Sequence, residues 1–181
     1  MDRAERAVAD LLAALGQNPA SAHLADTPRR VAAGYAELLA PTPVTATTFP
    51  NDHGYDQLVL ATAIPFASRC QHHLLPFTGL AHVGYLPGDR ILGLSKLARL
   101  VELFARHLQL QERLTTQIAD WLQAHLAPHG VGVMLEAEHL CMTQRGVRAA
   151  SARTITSTRH GLIRTDPHSH QEFPALTGIS R

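Results

Sequence analysis

The chain is short of several things, and each shortage narrows what it can be. No apolar run comes near the roughly 18–20 residues that span a bilayer, so no membrane helix is expected. The N-terminus, Met1-Asp2-Arg3-Ala4-Glu5-Arg6, opens straight into a charged amphipathic pattern and lacks the apolar region of a secretory signal. The expected location is therefore the cytoplasm. Sixteen basic residues stand against fifteen acidic ones, and a net charge of +1 gives no basic field for nucleic acid or a membrane surface. There are only two cysteines, Cys70 and Cys141, far apart in sequence. A cytosolic setting argues against a disulfide between them and leaves them as candidate metal ligands. No internal repeat and no low-complexity tract is found.

What is present suits a folded domain: 181 residues, 45% hydrophobic and 17% charged. Residues 2–15 set Val8, Leu11, Leu12 and Leu15 at helical spacing, with Gly16 as the stop. A second helix is predicted from Thr27 as N-cap, with Pro28 at the first helical position and Val31, Tyr35, Leu38 and Leu39 on one face. Residues 41–54 turn to Pro, Thr, Asn and Gly and read as a loop. The division expected is an N-terminal helical appendage and linker, 1–54, followed by the main domain, 55–181.

In that domain, 57–66 and 77–86 read as strands, with Ala81, Val83 and Tyr85 on one side of the second and Leu80 and His82 on the other. Pro87-Gly88-Asp89 is a turn, and 91–94 a short extended piece. Ser95 can cap a helix bearing Leu97, Leu100, Val101 and Phe104, and a further helix over 110–126 buries Leu114, Ile118, Trp121 and Leu122. Strands are predicted again from Val131 and over 152–163. The order ββααββ predicts an α+β fold, an antiparallel sheet of about four strands with two helices on one face. Its open edges need covering or pairing, and edge-to-edge closure into a ring satisfies both.

The two cysteines keep unusual company. Cys70-Gln71-His72-His73 sets a thiol and an imidazole three residues apart, a spacing that lets a loop close on one ion. His139-Leu140-Cys141 ends the third strand, where alternate residues share a face. Two thiolates and one histidine match the three protein ligands of a zinc site that keeps its fourth position open. His72 and His139 then remain as groups able to exchange protons near neutrality, or as hydrogen-bonded wall residues. Ser95-Lys96-Leu97-Ala98-Arg99 opens a helix whose N–H groups and dipole favour a phosphate. Arg145 and Arg148 follow the second cysteine, and Arg30 lies on the early helix. Several cations near a metal site, in a chain with almost no net charge, suggest a polyanionic small molecule. In Gln111-Glu112-Arg113-Leu114-Thr115, Glu112 could accept two N–H bonds from a guanine edge, or sit on solvated surface.

With these residues in place the chain resembles GTP cyclohydrolase I, from about Thr27 to Phe173. The motifs are Thr27-Pro28-x-Arg30, Cys70-x-His72-His73, Gly93-Leu94-Ser95-Lys96, Gln111-Glu112-Arg113-Leu114-Thr115, His139-x-Cys141-Met142, Arg145-Gly146-Val147 and Glu172-Phe173. The resemblance implies the tunnelling fold behind N-terminal helices, in a homodecamer of two pentameric rings with sites between subunits. It implies zinc on Cys70, His73 and Cys141, with His72 and His139 as acid–base histidines. Ser95, Lys96, Arg99 and Arg145 would bind the triphosphate of GTP, Arg30 would reach it across an interface, and Glu112 would anchor the guanine. The reaction implied converts GTP and water to formate and 7,8-dihydroneopterin triphosphate.

The chain departs from the family at Gln71, where Glu is usual, and at Ala63, where Asp or Asn is usual. Arg69, Gln144 and His170 differ as well. Two alternatives accompany these departures. One is a paralogue with an altered or ring-opened product from GTP or a related purine nucleotide. The other is a non-catalytic, zinc-structured nucleotide-binding ring, although a purely structural zinc would want a fourth protein ligand.

Overall fold

The structure, a computed structural model, describes residues 1–179. The chain divides into two compact units, Met1–Ala40 and a second beginning at Pro41. In the first, α1 (Asp2–Ala14) packs on α2 (Thr27–Leu38). Asp26 takes the N-cap position of α2, so Thr27 is its first helical residue rather than its cap. Only Ala32 of this unit is buried, and Leu11 and Leu15 of the apolar stripe stay 57% and 67% exposed.

The second unit contains β1 (Thr48–Pro50), β2 (Val59–Cys70), β3 (Pro76–Leu86), β4 (Arg90–Leu92), α3 (Ser95–Ala105), β5 (Leu108–Gln109), α4 (Gln111–Leu126), β6 (Gly130–His139), α5 (Leu140–Thr143), β7 (Thr154–Gly161), α6 (Leu162–Thr165) and α7 (Pro167–Thr177). The ββααββ order predicted from sequence is its frame, with additions. Five strands form one sheet in the order β5-β2-β3-β6-β7, antiparallel except for the short parallel pair β2–β5. β1, in the stretch expected to be loop, pairs with β4, where the Arg90 guanidinium donates to Thr48 Oγ1 at 2.7 Å.

One sheet face is built by alternation, and α3 and α4 cover it. Phe77, Ala81, Val83 and Tyr85 of β3 and Val131, Val133 and Leu135 of β6 meet Leu97, Leu100 and Val101 of α3 and Leu114, Ile118 and Leu122 of α4. All of these are fully buried or nearly so, which makes this cluster the main apolar contribution to stability. Trp121, expected in this core, is only half-buried and stacks on His125 with ring centroids 4.3 Å apart.

The far end of the opposite face is covered by the C-terminal helices. Leu86, Met134, Ile163 and Phe173 form a second cluster, so the last residues of β3 are buried on both sides. Gly132 permits this, because a Cβ there would lie 2.9 Å from the Phe173 ring. α7 starts with Asp166 accepting from Ser169 N–H at 2.8 Å and with Pro167 in its first turn. β2 carries one extra residue between Ala61 and Ile64, a bulge at which Ala63 adopts φ 54°.

Candidate metal centre and active site

β2 ends at Cys70, and the turn that follows explains the Cys-x-x-His spacing. The N–H groups of His73 and Leu74 both donate to the Cys70 carbonyl, at 3.3 and 2.8 Å, and Cys70 N–H donates to the Leu75 carbonyl at 2.9 Å. Leu74 takes φ 58° to close the turn. β5 clamps it from the side, since Gln71 N–H donates to the Gln109 carbonyl at 3.0 Å. The chain thus folds back within five residues, and His73 Nδ1 comes to 3.7 Å from Cys70 Sγ.

Cys141 arrives differently from the strand-face argument. β6 stops at His139, and Cys141 lies in the single helical turn of α5. Strand alternation therefore does not relate it to His139. The outcome still brings three donors together: Cys70 Sγ, His73 Nδ1 or Nε2 and Cys141 Sγ all lie within 4.8 Å of one another. Both cysteines are free thiols. Ligands on a tetrahedral zinc, with arms of about 2.3 Å to sulfur and 2.0 Å to nitrogen, sit about 3.5 Å apart, so the separation of 3.7 Å between Cys70 and His73 fits with only a small adjustment. Burial, and then the adjacent Cys70, push the Cys141 thiol up, and Arg145 only partly offsets them. Two sulfurs held this close favour a cation between them. The donor set therefore can bind a metal.

His139 lies beside this cluster at the end of β6. Its ring stacks flat on Phe77, with centroids 4.6 Å apart and planes 3° from parallel, and its Nε2 is 2.7 Å from Gln111 Oε1. Burial lowers its pKa below the usual imidazole range, and the nearby Glu112 carboxylate acts in the opposite direction. His72 is exposed on the turn, edge-on to His73 at 6.2 Å. Glu112 is exposed in the first turn of α4. Gln111, 2% exposed, was read in sequence only as part of a polar cluster. Its partners lie 24 to 45 residues away on β6 and β7, so no local pattern announces it.

Of the cationic set, Arg145 adjoins the metal centre through its effect on Cys141. Ser95 and Lys96 do not, and Arg99 borders a recess with Thr42, Pro43, Val44, Glu102 and Leu103. α3 begins near the far end of β3, where Leu92 N–H donates to Tyr85 Oη at 2.9 Å. It ends near the metal end of β2, where Ser68 Oγ donates to the Ala105 carbonyl at 2.7 Å. Eleven residues of helix separate Ser95 from that end, roughly 15 Å at 1.5 Å per residue. Arg30 belongs to the first unit, where it pairs with Asp26 at 2.9 Å. The Gln71 side chain has no hydrogen bond among the described residues. His170 Nε2 lies 2.7 Å from an Arg159 guanidinium nitrogen, a contact on the opposite face of the sheet from the helical layer.

Comparison with known proteins adds the following. Residues 4–178 match the family model for GTP cyclohydrolase I. The GTP cyclohydrolase 1 of Mycobacterium ulcerans (strain Agy99) is 52% identical over 177 residues, covering 94% of this chain and 87% of that protein. That of Streptococcus thermophilus (strain CNRZ 1066) is 49% identical over 179 residues, covering 97% and 96%. Among solved structures, the apo form of the archaeosine synthase QueF-Like aligns over 59% of this chain and 94% of its own, at 14% identity and a TM-score of 0.46. That likeness is too loose to add to the fold already described.

Proposed function

The chain belongs to the GTP cyclohydrolase I family, and from that premise we infer that it converts GTP and water to 7,8-dihydroneopterin triphosphate and formate. The observation that carries the reading is the convergence of Cys70, His73 and Cys141 beside a half-buried, oriented His139. We assign zinc to the three donors, because two sulfurs and an imidazole select it over magnesium or calcium. Zinc in such a site supplies a Lewis acid with an open fourth position, where a water is made more acidic.

The rest of the chemistry falls to side chains. His72 and His139 move protons to and from the purine's five-membered ring as its bonds open, a contribution of about 10²–10⁴-fold each. Glu112 accepts paired N–H bonds from the guanine edge. Ser95, Lys96, Arg99 and Arg145 hold the triphosphate, and Arg30 reaches it from another subunit.

The separation of α3's start from the metal centre supports a site completed by a second copy, and with it a ring-forming homo-oligomer, a decamer by family likeness. The sheet backed by two helices then serves as the tunnelling-fold unit, with β7 and β5 available for edge pairing. A cytoplasmic location, with neither membrane nor nucleic acid as a partner, is part of the same reading. No helix among the described residues is long and apolar enough to cross a membrane.

Incubation of the zinc-loaded protein with GTP tests the assignment. A fluorescent pterin after oxidation, with formate, is the expected result. Formate alone would mark a ring-opening paralogue, and neither product would leave a nucleotide-binding ring.

A further inference from the structure

Gln111 is buried at the start of α4, and its amide can be oriented without ambiguity. The Nε2 end lies 3.2 Å from the Leu135 carbonyl, 2.9 Å from the Thr154 carbonyl and 3.1 Å from Thr156 Oγ1. Carbonyl oxygens only accept, so the end facing them must be the NH₂ group. Thr115 Oγ1 donates to the Gln111 carbonyl at 2.7 Å and lies 2.6 Å from Thr156 Oγ1, which ties the same turn of α4 to β7. The side-chain oxygen is left pointing at His139 Nε2, 2.7 Å away. An amide oxygen cannot donate, so the hydrogen in that contact sits on the imidazole. His139 Nδ1 has no hydrogen bond among the described residues, and the Phe77 stack fixes the plane in which it points.

We propose that Gln111 is a positioning residue that holds His139 as its Nε2–H tautomer, leaving Nδ1 as the nitrogen that serves the reacting purine. The inference rests on the cyclohydrolase reading for what Nδ1 does, but the tautomer itself stands on the hydrogen-bond inventory alone. A histidine in the wrong tautomer presents a hydrogen where a lone pair is needed. Its contribution to proton transfer is then lost even though the ring is still in place.

Magic-angle-spinning NMR of the full chain labelled with ¹⁵N-histidine reads the tautomer directly, at about pH 8.5, two units above the ordinary imidazole value. His139→Asn identifies the resonances. The wild type should show a protonated Nε2 and a bare Nδ1 at His139. Gln111→Met, which removes the acceptor, should give a tautomer mixture and a kcat about 10²-fold lower, with KM changed less than about threefold. The inference is overturned by a wild-type His139 that carries its hydrogen on Nδ1. It is equally overturned if Gln111→Met keeps both the Nε2–H form and full kcat. Failure of the cyclohydrolase reading looks different: the wild-type protein would form no pterin, whatever its tautomer.

Discussion

Take two variants, Cys141→Ala and Lys96→Ala, each expected to be inactive for its own reason. The first loses a sulfur donor of the metal centre. The second loses the ammonium at the start of α3, which lies at the other end of the sheet from that centre. Nine residues of α3, roughly 14 Å at 1.5 Å per residue, lie between Lys96 and the metal end of β2, beyond the reach of a lysine side chain. If each site draws its metal half from one copy and its phosphate half from a neighbour, mixed assemblies regain function. In a random 1:1 mixture half of the metal halves are intact, as are half of the phosphate halves, so about one quarter of sites should work. The assay is co-refolding of differently tagged variants, tandem purification of mixed assemblies, and pterin fluorescence per chain. Recovery near a quarter of the wild-type rate is expected. Mixed assemblies with no activity above the sum of the two parents would refute the shared site.

Three further outcomes follow from particular residues. Ala63 is exposed and sits at φ 54° in the β2 bulge, a conformation Asn visits far more readily; Ala63→Asn should stabilise by about 1 kcal/mol, read from a shifted urea midpoint. Gly161 has φ 53° and its added Cβ would lie 2.1 Å from the His129 carbonyl oxygen; Gly161→Ala should cost more than about 3 kcal/mol, measured in the same titration. His82 is 4% exposed with Nδ1 buried and unpartnered, and burial holds its pKa below the usual imidazole range despite Glu136. The unfolded chain therefore takes up that proton first, so stability is full above about pH 6.5 and falls as pH drops toward the folded value. His82→Leu should flatten the urea midpoint between about pH 7 and pH 5, and an unchanged slope would show that His82 is not its source.

Much of this molecule could be read from its sequence where one period governs one face. Leu97, Leu100 and Val101 on α3 and Ala81, Val83 and Tyr85 on β3 follow their patterns into the core. The metal donors were legible because Cys70 and His73 lie within one turn. Cys141 was legible only by its company, since the strand argument that linked it to His139 does not hold in α5. α7 was missed, although Asp166-Pro167 is a helix-start signal; its anchor Phe173 has a place only because Gly132, on a distant strand, leaves room. β1 is three residues whose partner lies beyond the first hairpin. Gln111 illustrates the general limit, because its meaning lies in carbonyls that only the folded sheet brings to it.

Zinc K-edge X-ray absorption on the purified protein, with metal content measured on the same sample, addresses the metal assignment most directly. One zinc per chain is expected, with two sulfurs at about 2.3 Å, nitrogen at about 2.0–2.1 Å and a fourth light donor. Cys141→Ala should remove one sulfur from that shell or the zinc altogether. A protein that binds no zinc, or a zinc spectrum without sulfur, would contradict the assignment of Cys70, His73 and Cys141.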